Sequence, residues 1–209
     1  MNITVIYATS RRAQSSTYNL ARLLICELLD NGRLFEFQLP KDMPHICMGC
    51  YACIRGQEQK CGGSAALADT IIRAAELPET QVVTLYSMQS LPQATRALKQ
   101  AGRIQNETEV TYLYLSFMKK QAVIINTAAG GGTRSTTREL KDSTDYWGIA
   151  RTHILSQKVW NYDWTNLPAS FRTSAEAKVR RTARRVRRCA ANLTPSFKVK
   201  CLFTLYQFL

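Results

Sequence analysis

The sequence predicts an α/β fold, a doubly wound parallel sheet of five strands with helices on both faces. Short β-branched runs alternate along the chain with longer stretches whose apolar residues recur every three or four positions. The chain has 209 residues, of which 45% are apolar, and it contains no internal repeat or low-complexity linker. Strands that alternate with helices are typical of parallel sheets, because each helix returns the chain to the starting edge.

Five short runs carry the strand pattern. We predict strands at residues 2–7, 34–39, 81–85, 121–127 and 152–159. The sequence QAVIINT at 121–127 is the clearest buried strand, because it is almost wholly apolar and a glycine run ends it at once.

Helical periodicity fills the intervals between these strands. The first helix begins at residue 17 and is ended by residues 30–32; its apolar face holds Leu20, Leu23, Leu24 and Leu28, and we also assign Cys26 to that face. Further helices are predicted at residues 65–75, 92–104, 133–147 and 174–193. Residues 105–120 fit no element of this scheme.

Length and composition predict one domain at residues 1–193, followed by an apolar tail at 194–209. The N-terminus lacks a basic, apolar signal segment, so we expect a cytoplasmic protein. Seven cysteines in that compartment favour thiols or metal ligands over disulfides. Residues 201–209 are too short to cross a bilayer and would pack in a subunit interface or make peripheral membrane contact.

The formal charge of +13 is concentrated at residues 178–188, where seven of eleven positions are Lys or Arg. Such a field attracts polyanions. Apolar residues recur through the same segment, however, at Val179, Ala183, Val186, Ala190 and Leu193. This spacing predicts a docked helix with a solvated basic exterior, so we expect no nucleic-acid partner.

Cysteines at 47–61 form the sharpest local motif, C-x2-C-x2-C-x7-C, made by Cys47, Cys50, Cys53 and Cys61. Three thiolates at steps of three residues, with a fourth from a flexible loop, suit a [4Fe–4S] cluster. A zinc site, a redox pair and unligated thiols remain as alternatives.

Three loops follow strands at the edge of the predicted sheet where ligands bind in doubly wound folds. The first, at 8–17, combines hydroxyls, an arginine and a helix N-terminus, which together suit an anion. The second, at 84–92, places Tyr86 where a flavin ring would lie, although Tyr86 would equally complete the core. The third, at 127–133, has three glycines that allow a ligand to approach the backbone closely.

Together these motifs resemble the NAD(P)H-dependent FMN reductase family of the flavodoxin-like fold, and particularly its iron–sulfur flavoprotein branch. The cysteine loop matches that family's C-x-G-C-x-x-C pattern at residues 47–53. The resemblance implies that the FMN phosphate is held by Thr9, Arg11, Ser15, Ser16 and Thr17. It implies that the isoalloxazine lies against Tyr86, Ser87, Met88, Thr127, Ala129, Gly130, Gly131 and Gly132.

The resemblance implies an FMN-dependent NAD(P)H oxidoreductase that passes hydride from NAD(P)H to bound FMN. It implies no catalytic side chain, since the flavin itself would carry the chemistry. It also implies a homo-oligomer with a small-molecule or protein electron acceptor. One alternative is an electron carrier that passes electrons between ferredoxin and FMN through the cluster. Another is a polyanion or membrane-surface binder with a vestigial flavin site, since Ala8 replaces the family's glycine and no proline precedes Tyr86.

Overall fold

The computed structural model describes residues 1–9, 11–38, 41–42, 80–87, 118–129, 132–161 and 163–207. Its five described strands lie close to the predicted positions, and described helices follow the first, fourth and fifth of them. They are β1 (Asn2–Ala8), α1 (Ser16–Leu28), β2 (Leu34–Gln38), β3 (Thr80–Ser87), β4 (Gln121–Ala128), α2 (Thr133–Tyr146), β5 (Arg151–Lys158), α3 (Ala169–Ala191) and α4 (Phe197–Gln207). The predicted helices at 65–75 and 92–104 lie outside the described residues.

The strands pair in the order β2-β1-β3-β4-β5, and every described pairing is parallel. This order is that of flavodoxin-like folds, in which the switch point lies between the first and third strands. The predicted α/β class with a parallel sheet is therefore confirmed.

Helices cover both faces of the sheet. On one face α1 and α3 pack over the alternate side chains Ile3, Val5, Val123 and Ile125, which form a single buried core with them. On the other face α2 packs against β4 and β5, where Thr144 Oγ1 lies 2.9 Å from Thr152 Oγ1. Alternation along each strand explains this division, because successive side chains point to opposite faces.

The basic segment forms the long helix α3 with its apolar side inward, as predicted. Val179, Ala183 and Val186 are buried against the core. Ala190 is exposed, contrary to the predicted face, because it lies in the last turn of α3. Cys26 is also exposed rather than part of the core, because α1 turns Leu24, Ile25 and Leu28 toward the sheet instead.

The C-terminal tail forms α4, which docks on α2 of the same chain. Val199 is fully buried, and Lys198 Nζ lies 2.7 Å from Asp142 Oδ1 and 3.1 Å from Asp145 Oδ2. Phe197 remains exposed at the start of α4. Across the described part of the chain, every helix is too short or too polar to traverse a bilayer.

Candidate functional site

The ends of β1, β3 and β4 meet at one edge of the sheet. In the register of the strands Ala8 pairs with Tyr86, and Ser87 pairs with Thr127. Because the strands are parallel, the loops that leave them all begin at this carboxyl edge. The structure therefore brings the starts of the three predicted loops together.

The first loop turns from β1 into α1 through the short 3-10 helix Arg12–Gln14. Asn19 fixes this turn, because its Nδ2 donates to the carbonyls of Ala13 at 2.6 Å and Ser15 at 2.9 Å. Ser15 is the N-cap of α1, although its Oγ accepts from Tyr18 N at a long 3.4 Å. The weak cap leaves the helix N-terminus, with its partial positive charge, open to an anion.

Four hydroxyl residues of this loop are buried, and one of them has no partner. Thr9, Ser15, Ser16 and Thr17 are each 5% exposed or less. Ser16 Oγ is buried and makes no hydrogen bond. Such an orphaned oxygen is costly in a folded protein unless a ligand or water completes its hydrogen bond.

Thr17 joins the first loop to the third. Its Oγ1 lies 2.6 Å from Thr127 Oγ1, although the two residues are 110 positions apart in sequence. Thr127 is the seventh residue of β4 and the first residue of the third loop. The two predicted binding segments are therefore in direct contact.

The third loop ends at Gly132, which caps α2 in a left-handed conformation with φ of 88°. A residue with a Cβ would be strained at this angle, so glycine suits the position. The hydroxyls of Ser135 and Thr136 donate to the Gly132 carbonyl at 2.9 and 3.0 Å. The first turn of α2 thus holds the end of this loop in place.

Asn126 is a polar residue of this edge that the sequence analysis missed. It is fully buried, and its Nδ2 donates to the Thr133 carbonyl at 3.1 Å and to Thr137 Oγ1 at 2.9 Å. Its Oδ1 has no hydrogen-bond partner. A lone amide at the end of the apolar run QAVIIN is a signal that could have identified it.

Arg11, the predicted phosphate ligand, is exposed and lies within electrostatic range of Asp163. The pKa of Asp163 is lowered mainly by hydrogen bonds from the N–H and hydroxyl of Thr165, at 3.0 and 2.8 Å, with a smaller effect from Arg11. The segment around Asp163 packs on the 3-10 helix Arg12–Gln14. The loop after β5 therefore borders the first loop, a contact that no local sequence pattern predicts.

The remaining predicted site residues divide between described and undescribed parts of the chain. Tyr86 and Ser87 lie at the end of β3, and Ala129 is exposed beside β4. Met88, Gly130 and Gly131 lie outside the described residues, as do the four cysteines Cys47, Cys50, Cys53 and Cys61. Within the described ranges no group of three His, Cys, Asp or Glu is placed to hold a metal ion.

These features fit the phosphate end of FMN. The N-terminus of the 13-residue helix α1 supplies N–H groups, and the orphaned Ser16 Oγ supplies a hydroxyl beside them. An anion with several acceptor oxygens satisfies both kinds of donor at once.

Comparison with solved structures shows the same fold. The azoreductase AzrA superposes with a TM-score of 0.57 at 14% identity, covering 92% of this chain and 100% of its own. An oxidoreductase from Corynebacterium diphtheriae gives 0.54 at 9% identity, covering 98% of both chains. The apo form of the NADH:FMN oxidoreductase EMOB gives 0.53 at 11% identity, covering 88% of this chain and 89% of its own.

At these identities the likeness establishes the flavodoxin-like fold. No protein-family model matches the sequence, and no curated protein matches it.

Proposed function

We propose that the protein is an FMN-dependent NAD(P)H oxidoreductase, which transfers hydride from NAD(P)H to bound FMN and then passes electrons to an acceptor. The observation that carries this proposal is the buried, unpartnered Ser16 Oγ at the N-terminus of α1. Two of the structures that share the fold are named as an azoreductase and an NADH:FMN oxidoreductase, which supports the same activity.

The first loop would hold the FMN phosphate. Ser15, Ser16 and Thr17 surround the N-terminus of α1, and Thr9 lies just before the loop. Arg11 would add positive charge from the exposed rim, where the carboxylate of Asp163 partly offsets that charge. We therefore assign the main phosphate contacts to the buried hydroxyls and the helix N–H groups rather than to Arg11.

The second and third loops would hold the ring of FMN. Backbone N–H groups of the loop after β4 would be donors to the carbonyl edge of an isoalloxazine. The contact between Thr17 and Thr127 joins the two loops that would bind the phosphate and the ring. Tyr86, Ser87 and Met88 complete this assignment from the end of β3.

FMN, when bound, supplies the capacity to accept hydride and to release electrons singly or in pairs. The protein then needs no side-chain acid or base of its own. Its residues position the cofactor and exclude water from the buried hydroxyls. The positive net charge favours the approach of a phosphorylated nicotinamide.

Anaerobic mixing of the FMN-loaded protein with NADH or NADPH tests this activity. We expect rapid loss of the absorbance of oxidised flavin with at least one of the two nicotinamides. Flavin that is bound but bleaches only with reduced ferredoxin would contradict the proposal and support the electron carrier instead.

The carrier alternative rests on the cysteine motif at 47–61, whose [4Fe–4S] cluster stays a prediction. Iron and sulfide analysis of anaerobically purified protein tests it.

The expected homo-oligomer is also part of the proposed function. Sedimentation of the FMN-loaded protein measures the oligomeric state.

A further inference from the structure

The outer face of α3 carries four arginines that we call the arginine stripe. At about 100° per residue they fall within an arc of about 100°, on the side opposite the buried Val179, Ala183 and Val186. All four are exposed. The stripe consists of Arg181, Arg184, Arg185 and Arg188.

Other basic residues of the same segment already have partners. Lys178 Nζ donates to Gln157 Oε1 at 2.7 Å, and Arg180 lies 3.6 Å from Glu176. Arg187 bonds both oxygens of Asp30, at 3.2 and 2.9 Å. Within the described chain, the arginines of the stripe make no such ion pair. Their charge is therefore available to a partner.

The stripe lies away from the candidate flavin site. Arg187, next to it, also donates to the Glu27 carbonyl at the end of α1. That end of α1 leads to Arg33, whose N–H donates to Asn2 Oδ1 at the start of β1, at 2.6 Å. This end of α3 is therefore at the amino edge of the sheet, opposite the carboxyl edge where the three loops meet.

We propose that the arginine stripe binds the phosphate backbone of a nucleic-acid duplex. Four arginines over eight residues span about 10 Å of helix, which corresponds to about three successive phosphates on one strand of a duplex. Guanidinium groups bind phosphate through paired hydrogen bonds. This proposal replaces the expectation of no nucleic-acid partner, because among the described residues the flanking basic side chains are paired and those of the stripe are not.

Two observations favour a duplex over a membrane surface. A helix that inserts into the lipid interface carries apolar side chains beside its charges, whereas the apolar residues of α3 are buried under the helix. The carboxylates of Glu176 and Asp30 also lie along one side of the stripe. A flat anionic surface would bring these carboxylates near its own charges, whereas a single row of phosphates avoids them.

Fluorescence anisotropy of a labelled, mixed-sequence DNA duplex with the full-length protein tests the proposal across a salt series. The test variant replaces the whole stripe with glutamine, which keeps a high helix propensity. We expect it to bind at least about tenfold more weakly at low salt, with a log–log salt slope shallower by about three. The substitutions are Arg181→Gln, Arg184→Gln, Arg185→Gln and Arg188→Gln.

A matched control removes the same charge from exposed positions elsewhere. It should keep most of the affinity and salt slope; an equal loss in the control would show that net charge alone is responsible and would overturn the proposal. The control substitutions are Arg138→Gln, Lys158→Gln, Arg172→Gln and Lys200→Gln.

A single substitution and a measurement of binding to lipid vesicles complete the test. Arg184→Gln alone should make the salt slope shallower by about one, and an unchanged slope would contradict a direct phosphate contact.

Binding of the stripe variant to vesicles of phosphatidylserine and phosphatidylcholine is measured in parallel. If the stripe substitutions abolish vesicle binding but leave duplex binding intact, the partner is a membrane and the proposal fails.

Discussion

Among the described residues at the carboxyl edge of the sheet, two buried side-chain oxygens lack a hydrogen-bond partner, Ser16 Oγ and Asn126 Oδ1. Both oxygens lie beside loops that the sequence associates with FMN. A buried polar atom without a partner costs stability, so its presence is easiest to understand where a ligand completes the bond. The two atoms mark the first loop and the start of the third.

Asn126 also stabilises the fold through its two donated bonds. We expect Asn126→Ala to lower the free energy of unfolding by about 2 kcal/mol, because the Thr133 carbonyl loses a donor and a small cavity forms. Urea denaturation measures the effect. As a control, Ser135→Ala removes an exposed hydroxyl in the first turn of α2. It should change the free energy of unfolding by less than about 0.5 kcal/mol. Equal midpoints for wild type and Asn126→Ala would contradict the assigned role.

His153 gives the protein a specific pH dependence. Burial lowers the pKa of His153, with smaller effects from Arg185 and Arg151, and its Nε2 lies 2.8 Å from Gln121 Oε1. The folded state therefore binds fewer protons than the unfolded state once pH falls through the ordinary value of 6.5. Stability is thus full above that pH and is lost progressively below it.

The variant His153→Gln removes this titration while keeping a polar side chain opposite Gln121. We expect its stability to vary less than that of the wild type as the pH is lowered from neutrality through 6.5. Denaturant midpoints across this range measure the difference. Parallel curves for the two proteins would show that His153 titrates normally in the folded state.

At the scale of elements, α3 packs beside α1 on one face of the sheet and completes the core on that face. Its buried residues supply the apolar contacts, and the two bonds from Arg187 to Asp30 hold its outer side to the end of α1. Its stability therefore comes from the inner face, while its outer face is free to carry charge. This division lets one helix serve both the core and the proposed duplex surface.

Truncation of a buried α3 residue tests this division. Val179→Ala should lower the free energy of unfolding by about 2 kcal/mol, because Val179 is packed in the core. Arg181→Ala, on the exposed side of the same helix, should change it by less than about 0.5 kcal/mol. Similar losses in the two variants, measured by urea denaturation, would contradict the orientation of α3.

Sequence reasoning recovered the elements whose pattern is local. Residues 121–127 were predicted as a strand because of the continuous apolar run, and β4 differs by one residue. The tail was predicted only as an apolar segment, since its helix is fixed by Lys198 reaching Asp142 and Asp145 across the chain. The parallel order of the strands predicted that the first and third loops share one edge of the sheet, and the contact between Thr17 and Thr127 agrees with this. The position of Asp163 beside Arg11 depends on a loop path that composition does not encode.

For the whole molecule, binding of FMN should raise thermal stability, because a ligand that binds only the folded state shifts the unfolding equilibrium. At a concentration about one hundred times its Kd, FMN should add about 2.7 kcal/mol. Differential scanning calorimetry measures the rise in Tm over a series of FMN concentrations. A Tm that does not respond to FMN would indicate that the fold is retained without the cofactor site.

The central claim is that the N-terminus of α1 and the buried Ser16 hydroxyl bind the phosphate of FMN. Its most direct test is a calorimetric titration of wild type and Ser16→Ala with FMN and with riboflavin, which lacks the phosphate. Ser143→Ala, at the far end of α2, serves as the control. We expect FMN to bind wild type more tightly than riboflavin, and Ser16→Ala to weaken FMN roughly tenfold to a hundredfold while leaving riboflavin unchanged. Equal affinities of FMN and riboflavin for the wild type would contradict the claim.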